Sequence, residues 1–105
     1  MIFVGSKFAD TTVIVEHTCS AGMAERIDHF IATNNALVEA TLTVHLVPSG
    51  GAIDDSSKVL VVAIEPGKSY LCAELVGADL DAGESIAVGS SVAIALVIRC
   101  NGRRV

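Results

Sequence analysis

The sequence predicts an all-β, single-domain antiparallel β-sandwich over residues 1–105, jelly-roll or immunoglobulin-like, with about 7–8 strands. Three observations predict it. Val38, Ala40, Leu42, Val44 and Leu46 alternate with Glu39, Thr41, Thr43 and His45, a strict period of two that gives a strand one core face and one wetter face. Short runs rich in Val, Ile and Thr, whose stiff side chains suit a pleated surface, recur along the whole chain. One turn form separates them, since Ser20-Ala21-Gly22, Glu65-Pro66-Gly67 and Asp81-Ala82-Gly83 all read polar, Ala or Pro, Gly. Gly in the third position is the type II signature, because that site needs positive φ.

Taken in order, residues 1–8 are expected to form an N-terminal arm or an edge strand, with Ile2–Val4 as its apolar part. Thr11–His17 is the next predicted strand, followed by Ala24–Thr33. Ser20–His29 is the best helical stretch in the chain, with Ala, Met, Glu and Arg together, but no sustained helical period supports a helix. The Val38–Val47 strand stops at Pro48-Ser49-Gly50-Gly51, where a missing donor and turn-forming glycines end the ladder. Ala52–Lys58 reads as an exposed loop. Val59–Glu65, Ser69–Ala73, Glu84–Gly89 and Val92–Cys100 complete the predicted strands, and residues 101–105 read as a basic solvated tail.

The chain is 51% hydrophobic with only 4% aromatic residues, and its mean hydropathy of +0.60 is high for a protein in water. Its longest apolar runs, Val59–Ile64 and Val92–Ile98, fall far short of the roughly 18 to 20 residues a membrane helix needs. The start lacks a signal-peptide pattern, so a soluble chain with no membrane partner is expected. Val92–Cys100 presents Val92, Ile94, Leu96, Ile98 and Cys100 on one face and Ala93, Ala95 and Val97 on the other, and Val59–Ile64 is similarly apolar throughout. One small sandwich has one interior, so the second faces are expected to meet another subunit.

Net charge is −5, and residues 1–98 carry 12 acids against 4 bases. Such a surface repels phosphate backbones, and nucleic acid is not an expected partner. Cys19, Cys72 and Cys100 form an odd set without CxxC spacing, which fits buried reduced thiols.

Chemistry-bearing patterns are sparse. Gly67-Lys68-Ser69 lacks the glycine five residues upstream that a phosphate loop requires, that position being Val62. His17 and Cys19 project the same way on a strand, yet no second pair among His29 and His45 completes a zinc set. His45 shares the polar face of its strand and is expected at solvent. Asp54-Asp55 lacks the alternating acids of a calcium loop, and Glu16, Glu65 and Glu84 show no acid–base pairing. No enzyme activity, metal or cofactor is expected.

Ala32-Thr33-Asn34-Asn35, then Ala40 to Gly51 ending Leu-Val-Pro-Ser-Gly-Gly, then Pro66-Gly67-Lys68-Ser69-Tyr70, Glu74-Leu75-Val76-Gly77 and Leu80 to Ile86 succeed one another along the chain. In this order they resemble a group of small tailed-bacteriophage virion proteins with single-domain β folds, over about residues 14–100. The resemblance implies a structural protein made in the host bacterial cytoplasm and built into the particle in many copies. A capsid cement or decoration protein on the capsid surface, bridging capsomers of the major capsid protein as a homo-oligomer, is the leading expectation. A neck, tail or fibre-associated module is the alternative, and a cytoplasmic ligand-binding β-sandwich a further one. The contact residues expected are Ile2, Phe3 and Val4 in the arm, Pro48, Ser49, Gly50 and Gly51 in the loop, and Ala93, Ala95 and Val97 on the last strand.

Overall fold

A period of two obliges every strand to bury one face, and the chain meets that demand by stacking two antiparallel sheets. The structure is a computed structural model that describes residues 1–105. It contains β1 (Ile2–Phe8), β2 (Ile14–Thr18), β3 (Ala24–Asn34), β4 (Ala40–Val47), β5 (Lys58–Ile64), β6 (Ser69–Leu71), β7 (Asp79–Asp81), β8 (Ser85–Ser90) and β9 (Leu96–Arg104). A single 3-10 turn at Ala73–Leu75 is the only helical element. One sheet runs β1-β9-β3-β6 with β7 also paired to β3, and the other runs β2-β8-β4-β5. With β7 set aside, the chain changes sheet at every step except the β4–β5 hairpin. That is jelly-roll order, which decides between the two topologies that the sequence left open.

The interior follows from the alternation. Ala40, Leu42 and Val44 of β4 point inward, as do Ile86 and Val88 of β8 and Leu96, Ile98 and Cys100 of β9. Phe30 and Phe3 are the aromatic rings of the core, and aliphatic and small side chains fill the rest. Gly102 of β9 is packed so closely that a Cβ there would collide with the Phe3 ring and the Arg26 carbonyl. The recurring turns hold their glycines in the left-handed region, at φ 75° for Gly22, 74° for Gly67 and 83° for Gly83.

Ser20–His29 contains no helix, as the missing helical period predicts, and Ala24–Asn34 forms the expected strand, lying between β9 and β6. Other expectations are corrected. The N-terminal segment is an edge strand through Phe8, and Phe3 and Val4 belong to the core, leaving Ile2 as the exposed member of that trio. Residues 101–104 are no solvated tail, since β9 continues through Arg104 between β1 and β3. Val92–Ala95 is a loop instead of the start of the last strand, so Ala93, Ala95 and Val97 share no face. Ala93 is exposed, Ala95 is 0% exposed in the core, and Val97 is half-buried. His45 is buried, not solvent-facing, because Ser57 folds back over the outer face of β4 and meets its Nδ1 at 2.8 Å.

Candidate interaction surfaces

The strand directions sort the loops onto two ends. One end gathers the turns at Ser20–Gly22, Pro48–Gly51 and Asp81–Gly83, tied by Gly83 N–H to Cys19 O and by contact between Gly83 and Ser49. Pro48, Ser49, Gly50 and Gly51 all lie exposed here, and Gly51 N–H closes the turn on Pro48 O at 2.8 Å. This end is polar. Arg26 Nε donates to Asp79 Oδ1 at 2.7 Å, and Arg103 faces Asp28 at 3.5 Å. The Arg26 guanidinium holds the Asp79 carboxyl below its ordinary value.

The opposite end is built around one side chain. Asn34, fully buried at the end of β3, donates from Nδ2 to Val38 O at 2.9 Å and Ile64 O at 2.8 Å, and its Oδ1 accepts from Ala36 N–H at 2.9 Å. Its backbone completes the knot, with Asn34 N–H on Lys68 O and Gly67 N–H on Asn34 O, each at 2.9 Å. Asn35 N–H then reaches Ala95 O at 2.8 Å, fastening the loop before β9 to the same centre. Three loops therefore share one polar hub, since a buried amide that satisfies every group is rigid in a low-dielectric interior.

Beside exposed Glu39, Glu65 and Lys68, the loops at the hub present bare hydrocarbon. Leu37 is 96% exposed, Ile94 72% and Val38 54%. Ile94 also holds φ at 50°, a region that a β-branched residue avoids. Such strain, of order 1–3 kcal/mol, is a feature concentrated at functional positions. Phe8 and Pro66 lie exposed at the same end. Exposed apolar clusters of this kind mark places where another molecule sits.

The titratable groups serve structure in the arrangements seen. His17 Nε2 meets Glu25 Oε1 at 2.8 Å across the two sheets, and its ring stacks on Phe3 at 4.3 Å between centroids. Lys7 Nζ makes a second inter-sheet bond to Glu16 at 2.9 Å, which raises the Lys7 pKa. Cys19 points its thiol toward Met23 O at 3.6 Å, and burial pushes its pKa up, the reverse of an activated nucleophile. His29 is exposed and His45 sits on Ser57, both apart from His17, whose partner Glu25 also faces the Cys19 thiol. Nowhere do three His, Cys, Asp or Glu side chains converge as metal ligands. Asp54 accepts from Ser56 and caps its own turn, and that bonding lowers its pKa, while Asp55 pairs with Lys58 at 3.1 Å.

A shallow trough crosses the outer face of the four-stranded sheet, where Thr11, Val13, Thr41, Thr43, Gly89, Ser90 and Ser91 line about 170 Å³. Val13 lies directly over Gly89, where a Cβ would collide with it, and so covers part of the sheet with the chain's own backbone. No helix is long and apolar enough to cross a membrane.

Fold and surface together define a jelly-roll β-sandwich with bare hydrocarbon on the loops of one end. No family model, curated protein or solved structure matches the chain.

The expected contact residues separate accordingly. Ile2, Ala93 and the Pro48–Gly51 loop are accessible, whereas Phe3, Val4 and Ala95 are interior. Sequence reasoning missed Asn34, Leu37 and Ile94. The signal for Asn34 was on the page in Thr33-Asn34-Asn35, where a strand of β-branched residues ends in an amide that can tie loops.

Proposed function

We propose that the chain is a non-enzymatic virion structural protein of a tailed bacteriophage, most concretely a capsid cement or decoration protein. The observation that carries the reading is the end of the sandwich where Leu37, Val38 and Ile94 stand exposed on loops fastened by Asn34 and the Asn35 backbone. A rigid hydrocarbon tip binds by burying area without first ordering a loop, which suits adhesion between capsomers. The segments that resemble small phage virion proteins include Asn34 and the strand it anchors. Jelly rolls serve viral coats, but lectins and cupins as well, so the fold is compatible with the reading without deciding it. The place proposed is the outer capsid surface, reached after synthesis in the host cytoplasm.

The test is sedimentation of purified protein with capsid shells that lack it, with copy number counted in native particles. Binding near the stoichiometry of the capsid subunit, reduced about tenfold or more by Leu37→Asp, is the expected result, since one buried Leu contributes about 1.5–3 kcal/mol. A few copies confined to the tail vertex would point to a neck or tail module instead and would overturn the cement reading.

A further inference from the structure

A sandwich with two open sheets has four edges, and three of them are guarded here. β1 carries two register irregularities and Lys7. β2 carries an irregularity at Glu16, whose carboxylate binds Lys7 across the sheets. β6 and β7 on the far edge are three residues each. Bulges, charges and short strands are the devices by which edges avoid pairing with other chains.

β5 confines them to its first two residues, Lys58 and an irregularity at Val59. It is seven residues of sequence KVLVVAI, with no proline, one charge at its start and an unbroken register from Leu60 to Ile64 against β4. Its backbone orientation follows from β4. Thr41 spends its N–H on Ser91 Oγ at 2.8 Å and its C=O on Ser91 N–H at 3.0 Å, both on the β8 side. Thr41 and Thr43 therefore turn their backbone groups away from β5, and their partners Ala63 and Val61 turn theirs to the open edge. Val61 is 55% exposed, and no loop bonds to either residue's backbone.

We propose that β5 pairs antiparallel with β5 of a second copy of this chain, joining two four-stranded sheets into one continuous sheet. The strand is complementary to itself. With Val62 on the two-fold axis, Val61 lies opposite Ala63 of the copy and the two pairs exchange four backbone hydrogen bonds. Leu60 then faces Ile64, apolar against apolar on the core side. Lys58 begins the strand and Glu65 follows its end, so antiparallel pairing sets opposite charges beside each other at both ends. A parallel partner would place like charges together. The interface is smaller than the roughly 1,600 Å² of a standard complex, so association depends on concentration. The inference concerns the isolated chain and stands apart from the virion reading.

Light scattering after size exclusion, on the wild-type chain over a concentration series, reads the oligomer directly. The expected result is a monomer–dimer equilibrium whose dissociation constant rises about tenfold or more in Val61→Lys, which puts a charge at the centre of the pairing. Amide exchange at Val61 and Ala63 slows as dimer forms. An equimolar mixture of Val61→Cys and Ala63→Cys proteins oxidises to a disulfide heterodimer, because opposed Cα atoms about 5.5 Å apart are within reach. The buried native thiols leave that reaction uncluttered. A monomer at every concentration, a dimer indifferent to Val61→Lys, or unprotected amides at both positions would overturn the proposal. If Val61→Lys fails to fold by circular dichroism, the cysteine mixture decides alone: heterodimer supports the pairing and its absence refutes it.

Discussion

Ile94 shows how much one residue can hold in tension. A branched side chain at φ 50° crowds its own backbone, yet the loop keeps it there with the side chain 72% exposed. Nothing inside the molecule benefits from that side chain. Ile94→Gly is therefore expected to stabilise the isolated chain by about 1 kcal/mol, raising Tm by roughly 4 °C in thermal unfolding. Under the proposed cement role, the same variant is expected to bind capsid shells more weakly, since the hydrocarbon is gone. The two histidine and alanine misreadings belong to this scale too. His45 shares a polar-looking face with Thr41 and Thr43, but a hydroxyl twelve residues away reaches its ring. Local alternation has no record of such a neighbour.

Among elements, this end depends on a knot of three loops tied by the Asn34 side chain together with the Asn34 and Asn35 backbones. Asn34→Ala removes three hydrogen bonds and leaves buried carbonyls of Val38 and Ile64 without that donor. At about 1 kcal/mol per bond the loss is about 3 kcal/mol, measurable as a lower urea midpoint. Amide exchange should quicken first at Ala36, Gly67 and Asn35, whose N–H groups depend on the knot. The β4 strand was legible at sequence level because its alternation is local. The last strand was placed four residues early and ended four residues short. Val92–Ile98 is apolar throughout, so no phase marks the loop, and Asn101–Arg104 is polar because its outer face meets water. Only pairing with β1 and β3 makes that segment a strand.

For the whole molecule, burial ties stability to pH through the thiols. Cys72 and Cys100 are pushed by desolvation from 9.0 up to about 12. The unfolded chain ionises its thiols from about pH 9 while the folded chain keeps the protons, so folded-state pKa values are the raised ones. The contribution is whole below pH 9 and is lost as pH rises toward 12. Urea midpoints should fall across that window, and fall less in the Cys72→Ala, Cys100→Ala double variant. A midpoint independent of alkaline pH would count against buried, protonated thiols.

By itself the sequence determined that this is an all-β sandwich, where most strands lie and which turns join them, because period two and turn chemistry are written within a few residues of each other. The tertiary structure decided the jelly-roll order, the burial of Ala95, Phe3 and His45, the hub at Asn34 and the open edge at β5. Each of these depends on which distant strand becomes a neighbour. Such neighbours are chosen by packing the whole interior at once, and no stretch of chain carries that choice alone.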